Sequence, residues 1–388
     1  MTATAVVDPP LKEDRLTLGE RLDRQSGRLM VLPAVVVILC FAIFPLIISA
    51  YLALSRFALA PGGFTLKFVG FLNFKKLLTG SQQYHLLGTW GTLGPLNWLV
   101  LALGAGLLLF WLTRYFADQP TLFGALGRLI TFSVLAGLLL VTVVTFAPGG
   151  VPGTLVNTLL YVAVGVTVQF LLGLGLALLC AQPIRGRNFF RVLFFVPLMV
   201  TPVGIAYAFR MLADMQKGPF APLLRAFGVS EWSWATEAWS ARMMVLIGDT
   251  WQWTPFMFIV LLAAIENQPR DQVEAARLDG GSGWQIFRDI TWPAIAPVAA
   301  TVILIRLIEA FKIIDLPNVL TGGGPGLATE SMTLHSFIAW RTQDLGGSAA
   351  VGYMLLFVST VICVSFFNFV VRHARRFDRL RPAVTVNE

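Results

Sequence analysis

Two apolar stretches of the chain contain charged and polar residues that could contact a polar solute. In "DTWQWTPF" (249–256) a carboxylate lies next to an amide and two indole rings, and in "ILIRLIEAF" (303–311) an arginine and a glutamate lie one helical turn apart. Ionisable groups inside a bilayer are costly and tend to face a polar cavity. The candidate pathway residues in these stretches are Asp249, Trp251, Gln252, Trp253, Arg306, Glu309 and Ala310.

The chemistry of this set suits a sugar. Indole faces pack against the C–H surface of a sugar ring, and planar polar groups bind its hydroxyls. The arginine would also suit an anionic sugar that carries a phosphate, sulfonate or carboxylate. Two structural explanations compete with this one: Arg306 and Glu309 could form an ion pair within the helix or between subunits, and Trp251 and Trp253 could belong to the aromatic belt at the membrane interface.

A polar, glycine-rich segment, "EAARLDGGSGWQIFRDITWP" (274–293), lies between two strongly apolar stretches. Its first part predicts a short helix, and the glycine pair at 280 and 281 permits a sharp turn. In its second part apolar residues recur every three positions, which predicts a second short amphipathic helix that ends near Pro293. Such a helix–turn–helix suits docking into a groove of a soluble partner. The alternative is an amphipathic loop on the lipid surface.

The composition is that of a membrane protein. Of the 388 residues 56% are hydrophobic and 13% charged, with a mean hydropathy of +0.73, whereas a soluble domain needs more charge to cover its surface. Several apolar stretches reach the about 20 residues of helix that cross a hydrocarbon core of about 30 Å. Hydropathy therefore predicts an all-α polytopic membrane protein with about eight spans, at 29–55, 94–113, 129–147, 153–181, 192–212, 243–266, 294–315 and 350–371.

The distribution of Lys and Arg predicts the orientation. Of the 29 such residues, 18 fall in the segments 1–28, 113–128, 181–191, 268–293 and 371–388, and 8 fall in the alternate loops. Because cytoplasmic loops carry the excess of basic residues, both termini and the 268–293 segment are expected in the cytoplasm. The same bias explains the net charge of +8, so the expected surroundings are membrane lipid and no nucleic acid.

The remaining reactive residue types predict no catalytic or metal site. The three cysteines fall inside spans without ligand spacing and are expected to pack as small apolar residues: Cys40, Cys180 and Cys363. The three histidines are scattered in the sequence and predict no ligand cluster: His85, His335 and His373. No paired catalytic residues lie inside the spans, and "LTGGGPG" (320–326) lacks the Lys-Ser/Thr of a phosphate-binding loop. An intramembrane enzyme is therefore disfavoured.

The 274–293 segment resembles the signature loop of the membrane subunits of binding-protein-dependent ABC importers. That signature is Glu-Ala-Ala, three residues, Gly, nine residues, Ile, one residue and usually Leu-Pro, and Trp292 takes the place of the Leu here. The resemblance implies a coupling helix that inserts into an ATPase subunit, with Glu274 pairing with a basic residue of that partner. The implied coupling residues are Glu274, Ala275, Ala276, Asp279, Gly280, Ile290 and Pro293.

Further segments are similar to the carbohydrate-uptake (maltose-type) branch of that family, in the same order along the chain. They are "FVGFLNFKKLL" (68–78), "FFVPLMVTPV" (194–203), "DTWQWTPF" (249–256), "IENQPRDQVEAARLDG" (265–280) and "FKIIDLPNVLTGGGPG" (311–326). The resemblance covers about 29–80 and 150–371. It implies substrate contacts on the two helices that flank the signature loop, and a periplasmic turn at 320–326 that meets a binding protein.

The resemblance also implies a type I ABC importer permease fold with six core transmembrane helices. The two additional spans fall between the first and second core helices, and no known function carries over to them. The predicted layout is a cytoplasmic tail 1–28, a first core helix with a periplasmic loop 29–80, an inserted pair of helices 81–150, a core permease domain 151–371 with its coupling loop 268–293, and a basic cytoplasmic tail 372–388.

The implied function is that of a transport subunit in a bacterial inner membrane, and not of an enzyme. A second permease subunit would complete a heterodimeric pathway, two copies of a cytoplasmic ATPase would bind ATP and Mg, and a periplasmic substrate-binding protein would deliver a sugar or sugar derivative. No cofactor is expected on this chain. The alternative is an ATP-independent secondary transporter, which often has inverted repeats. The sequence shows no convincing repeat, and such a transporter needs no signature loop.

Overall fold

The structure is a computed structural model that describes residue 26 and residues 30–116, 122–183, 185–214, 217–226 and 235–380. The chain divides into two compact units, 1–52 and 53–388. Most of the apolar helix Met30–Ala53 belongs to the first unit. The predicted tail 1–28, apart from residue 26, and the last eight residues of the predicted basic tail lie outside the described residues.

The described chain is rich in helices of membrane length, as hydropathy predicts. Seven helices are long and apolar enough to cross a membrane, and there are eight spans if a bent pair of helices counts as one. These spans are Met30–Ala53, Pro95–Arg114, Gly124–Thr145, Thr154–Cys180, Arg187–Met199 with Pro202–Leu212, Ala238–Glu266, Gly283–Phe311 and Leu345–Val370. The prediction of an all-α polytopic membrane protein with about eight spans is confirmed.

The elements are numbered here in chain order. The helices are α1 (Phe44–Ala53), α2 (Leu72–Thr79), α3 (Gln83–Leu86), α4 (Pro95–Phe116), α5 (Leu122–Thr145), α6 (Thr154–Leu160), α7 (Val166–Cys180), α8 (Arg187–Met199), α9 (Pro202–Leu212), α10 (Ala221–Ala226), α11 (Ala238–Glu266), α12 (Arg270–Leu278), α13 (Gly283–Ile286), α14 (Trp292–Phe311), α15 (Met332–Arg341) and α16 (Leu345–Leu380). Single π-helical turns occupy Leu39–Ile43, Tyr161–Gly165, Phe287–Thr291 and Pro317–Thr321. Two antiparallel ribbons pair β1 (Ser55–Ala60) with β2 (Gly63–Phe68) and β3 (Gly88–Thr89) with β4 (Val151–Pro152).

The predicted span 192–212 is wrong as a continuous helix, because the chain bends by 99° between α8 and α9. Thr201 adopts an extended conformation, which is the preference of a residue before proline. Its hydroxyl accepts a hydrogen bond from the Gly204 amide at 3.3 Å and so caps α9, while Pro202 occupies the first turn, where no amide hydrogen is needed. The Thr-Pro pair therefore starts a new helix.

The long helix α11 is at the centre of the core. In its most apolar stretch 61% of the residues are buried, whereas the corresponding share is 0% in the span of α4 and 6% in that of α5. Helix α7 approaches it closely, since a Cβ atom on Gly173 would lie 2.5 Å from Met257 Cβ and 2.9 Å from the Phe258 amide nitrogen. Small residues permit such backbone contact in membrane bundles. The glycine at 173 thus sets the distance between the two helices.

We expect Gly173→Ala to destabilise the folded chain by about 1–3 kcal/mol, because the added methyl group must push α7 away from the backbone of α11. Gly175→Ala, two residues along the same helix, is the matched control. A Cβ there meets nothing within 4 Å, and alanine is the better helix former. Thermal unfolding of both variants in detergent checks the prediction, and equal melting temperatures would contradict it.

The two ends of the segment that contains the inserted pair of helices lie side by side. Gly88 pairs with Pro152 and Thr89 with Val151, so that β3 and β4 close the insertion. Within it α4 and α5 pack closely, because a Cβ on Gly104 would lie 2.4 Å from Leu139 Cδ2. The boundaries predicted at 81 and 150 stay predictions.

Polar groups of the core bind the residues directly after the glycine-rich turn (320–326). The Asn157 Nδ2 donates to the carbonyl oxygen of Leu327 at 2.8 Å, and the Arg242 Nε donates to that of Ala328 at 2.8 Å. Gly322 lies in the left-handed region with φ +65°, which favours glycine. The turn is therefore a fixed part of the fold. Its contact with a binding protein stays a prediction.

Candidate functional site

Residues 268–293 contain the two helical segments and the tight turn that the sequence predicts. Helix α12 ends at Leu278, and Gly280, two residues later, has a φ of +79°. The Gly280 amide donates to the carbonyl oxygen of Arg277 at 3.1 Å, and the Gly281 amide donates to that of Ala276 at 2.9 Å. This pair of bonds is a Schellman motif, which satisfies the last carbonyl groups of a helix and favours glycine at its left-handed position.

Ser282 begins the second segment as its N-cap. Its hydroxyl accepts from the Gln285 amide at 3.3 Å, and its own amide donates to Gln285 Oε1 at 2.8 Å, which is a capping box. The helix then continues through α13 and the π turn into α14. The predicted separation of a second short helix from the following span is therefore wrong. Pro293 lies within this continuous helix, just after the π turn Phe287–Thr291, and has no amide hydrogen to donate.

The loop exposes large apolar side chains beside charged ones. Leu278 is 89% exposed and Trp284 67%. Glu274 is also exposed and, within the described part of the chain, forms no ion pair. An exposed apolar patch with a polar rim is typical of a protein-binding surface. Of the predicted coupling residues, the exposed ones are Glu274, Ala275, Asp279, Gly280 and Pro293, and the partly buried ones are Ala276 and Ile290.

A row of aromatic rings connects this loop to the core. Trp284 stacks on Phe287 with 5.6 Å between ring centroids, and Phe287 contacts Trp292 at 6.2 Å. Trp292 then meets Phe170 of α7 edge-on at 6.4 Å. Trp292, which stands where the signature usually has Leu, thus makes an apolar contact of its own. A displacement of the loop would reach both α7 and α14 through these rings.

Three polar side chains from three helices meet in the buried interior. Arg306 of α14 forms an ion pair with Asp249 of α11, and its Nε donates to Gln169 Oε1 of α7 at 2.7 Å. Gln169 Nε2 donates in turn to Asp249 Oδ2 at 2.8 Å. Arg306 is 1% exposed and Asp249 3%, so each charge has the partner that burial demands. We call these three residues the buried charge network.

The buried charge network includes two predicted pathway residues and one that the sequence analysis missed. The missed residue is Gln169. The sequence feature that could have indicated it is a single amide side chain in the apolar run "VTVQFLLG" (166–173). Trp253, a third predicted residue, lies with its ring centroid 4.6 Å from the Arg306 guanidinium carbon, in a cation–π contact. The structure therefore gives both charges of the network a structural role.

The ion pair between Arg306 and Glu309 within one helix, which the sequence allowed, does not form. Glu309 pairs instead with Lys312 at 2.7 Å, and the Glu309 side chain is 36% exposed. Arg306 is buried against α7 and α11, where Gln169 and Asp249 are its partners, whereas Glu309 is partly exposed beside Lys312. The two residues thus have different surroundings although one helical turn separates them.

The other predicted pathway residues are distributed between the core and an exposed groove. Gln252 and Ala310 are buried, whereas Trp251 is 42% exposed and packs against Phe209 with 5.8 Å between centroids. Helices α7, α8 and α11 line an apolar groove of about 660 Å³, and Trp251 forms part of its wall. Substrate contact by these residues stays a prediction.

Two of the three histidines meet, which corrects the expectation that they form no cluster. The rings of His85 and His335 stack with 3.9 Å between centroids, and His85 Nε2 lies 2.9 Å from Glu330 Oε1. His85 and Glu330 are 245 residues apart in the chain, which explains why no local spacing predicts the cluster. Burial, and to a smaller extent the neighbouring His85, lowers the pKa of His335 to about 3, so its ring is neutral at neutral pH.

Comparison with known proteins identifies the family. The family described as "Binding-protein-dependent transport system inner membrane component" matches residues 169–379. The chain is 34% identical over 216 residues to the trehalose/maltose transport system permease protein MalF of Thermococcus litoralis, covering 56% of this chain and 72% of that protein. It is 29% identical over 219 residues to the sn-glycerol-3-phosphate transport system permease protein UgpA of Brucella abortus, covering 54% and 74%.

A solved structure has the same fold. It is the crystal structure of a bacterial alginate ABC transporter in complex with an alginate pentasaccharide-bound periplasmic protein. The match has a TM-score of 0.60 and 18% sequence identity, and it covers 92% of this chain and 98% of the chain in that structure. The permease fold that the signature loop implied is confirmed. The family match spans the signature loop, α14 and most of the buried core, and on this evidence the chain belongs to the inner-membrane components of binding-protein-dependent transport systems.

Proposed function

We propose that this chain is the permease subunit of an ATP-driven importer of a sugar or sugar derivative. The observation that carries the proposal is the exposed loop 268–293, whose second segment continues without a break into a membrane span. Relatives named for trehalose/maltose and for sn-glycerol-3-phosphate transport support a solute of the sugar class, neutral or anionic. A sugar is also the solute that Trp251 and Gln252 would suit.

The proposed assembly contains a second permease subunit, two cytoplasmic ATPases and a periplasmic binding protein. The ATPases would bind ATP and Mg and would contact the loop 268–293. The apolar groove on α7, α8 and α11 supports contact with the second permease, because side chains such as Val168, Leu172 and Ile247 line it and would otherwise face lipid or water. The excess of Lys and Arg supports cytoplasmic termini.

Transport in this proposal depends on rigid-body motion. ATPase closure would displace α12 and the turn at Ser282, and the continuous helix from Gly283 to Phe311 would transmit that displacement into the membrane. The buried charge network ties α14 to α7 and α11, so the three helices would rock as one unit. Coupling by this route requires no chemistry on this chain.

A secondary transporter is the competing function, and two observations disfavour it. Such proteins built from inverted repeats have broken helices at corresponding positions of both halves. Among the described residues α8 and α9 are the one bent pair. A docking loop for an ATPase would also have no purpose in a secondary transporter.

Uptake in the native host tests the proposal and separates the two functions. A deletion strain carrying the chain on a plasmid is given labelled disaccharides, sugar phosphates and uronate oligosaccharides in turn. We expect the chain to restore uptake of one of these classes. That uptake should persist when a protonophore collapses the ion gradients and stop when ATP is depleted. Uptake that stops with the protonophore while ATP stays high would favour the secondary transporter.

A further inference from the structure

A second cluster of titratable groups lies apart from the buried charge network, where α3 meets α15 and the turn before it. One ligand atom from each of His85, Glu330 and His335 lies within 4.8 Å of the others. Glu330 and His335 are each 4% exposed, whereas the His85 side chain is 22% exposed. The proposed transport mechanism makes no use of these three residues, which we call the histidine cluster.

The carboxylate of the histidine cluster is buried and poorly compensated. Among the described residues, the one ion-pair partner of Glu330 is His85, which is a cation only when it is protonated. Arg242 of α11 is engaged elsewhere, since its Nε donates to the carbonyl oxygen of Ala328 at 2.8 Å and to Asn157 Oδ1 at 3.2 Å. A buried carboxylate requires a counter-charge. A bound cation would supply it.

We propose that His85, Glu330 and His335 bind a divalent transition-metal ion, with zinc as the ion to test first. Two imidazole nitrogens and one carboxylate oxygen are a common ligand set for zinc, with a fourth position left for water. Nitrogen ligands distinguish such an ion from Mg²⁺ and Ca²⁺, which prefer oxygen ligands.

The stacked rings place a condition on binding. The two ring planes are 12° apart, and a metal ion lies near the plane of any imidazole that binds it, so the two nitrogens cannot share an ion while the rings stay stacked. His335 is buried, and its Nδ1 lies 3.4 Å from Thr154 Oγ1. His85 is partly exposed on a helix of four residues. We therefore expect the His85 ring to turn when the ion binds.

A bound ion would join segments that are far apart in the sequence. His85 lies in α3, between the first span and the inserted helices. Glu330 follows the glycine-rich turn, and His335 lies in α15. The ion would therefore fix the glycine-rich turn to α3. This role is independent of the solute that the transporter carries.

Zinc binding by the full chain tests the proposal, and the third histidine provides a matched control. Wild type and the variants His85→Ala, Glu330→Gln, His335→Ala and His373→Ala are purified in detergent with a streptavidin-binding tag in place of polyhistidine, stripped with EDTA and titrated with Zn²⁺ against a chromogenic chelator. We expect about one zinc per chain in wild type and in His373→Ala. The three cluster variants should bind zinc about tenfold more weakly or worse, and Mg²⁺ should not compete.

His85→Ala is the decisive variant, because its side chain is partly exposed and its loss should not prevent folding. Elution as a single species in EDTA shows that the variant is folded. Zinc should then raise the melting temperature of wild type and leave that of His85→Ala unchanged. Equal zinc affinity in wild type and His85→Ala, or a wild-type chain that binds no zinc, would overturn the proposal.

Discussion

Arg306→Met is expected to lower the free energy of unfolding by about 3–5 kcal/mol, because it leaves the Asp249 carboxylate charged and unpaired in the interior. Gln169 would remain beside that carboxylate but carries no charge. The loss should be larger than for a typical core substitution of similar volume, since a stranded charge costs more than a small cavity. Thermal unfolding in detergent, followed by tryptophan fluorescence, measures the effect.

Two further variants show whether the effect comes from the ion pair. The double variant Arg306→Met with Asp249→Asn removes both charges and should recover most of the lost stability. Glu309→Gln breaks the partly exposed pair with Lys312 and should cost less than about 1 kcal/mol. The assignment of the buried charge network would be contradicted if Arg306→Met were as stable as Glu309→Gln. It would also be contradicted if the double variant were no more stable than Arg306→Met.

The double variant also distinguishes a structural role from a substrate contact. If the network only holds α7, α11 and α14 together, a stable double variant should transport at close to the wild-type rate. If Asp249 or Arg306 contacts the solute during transport, a stable double variant should fail to transport. The burial of both side chains favours the first result.

Glu274→Lys should reduce uptake about tenfold or more without unfolding the protein. Glu274 is exposed on α12, beside the apolar Leu278, and a reversed charge at a docking surface costs more than 1.4 kcal/mol when its partner is basic. Uptake by cells and ATP hydrolysis by the purified transporter are measured together. We expect uptake to fall and its coupling to hydrolysis to be lost, while the melting temperature of the chain stays unchanged.

Gln272→Lys is the matched control for this prediction. It introduces the same cation two residues earlier, at an exposed position on a different side of the same helix, and so shows what an added cation on α12 does by itself. Wild-type uptake is expected from this control. Wild-type uptake from Glu274→Lys would remove this residue from the coupling surface, and loss in both variants would show that added charge, and not the position, is responsible.

The sequence was sufficient to predict the features that depend on local chemistry. The spans follow from apolar runs, and the turn at Gly280 follows from the pair of glycines after a predicted helix. The bend at Thr201 was also readable from "VPLMVTPV" (196–203), because a proline restricts the residue before it. Hydropathy alone missed this bend, since both arms are apolar.

Contacts between distant parts of the chain could not be predicted. Gln169 and Arg306 are separated by 137 residues, and His85 and Glu330 by 245. The choice of Asp249 over Glu309 as the partner of Arg306 depends on which face of α14 meets α7 and α11. Helix packing decides that choice, and a single sequence does not contain it.

Gentle purification of the tagged chain from its native host is the most direct test of the central proposal, that the loop 268–293 docks onto a separate ATPase. The proteins that accompany it are identified by mass spectrometry, for wild type and for Glu274→Lys. An ATPase and a second permease subunit should accompany the wild-type chain, and the ATPase should be depleted from the Glu274→Lys sample. A wild-type chain that is purified alone as a single species would contradict the proposal.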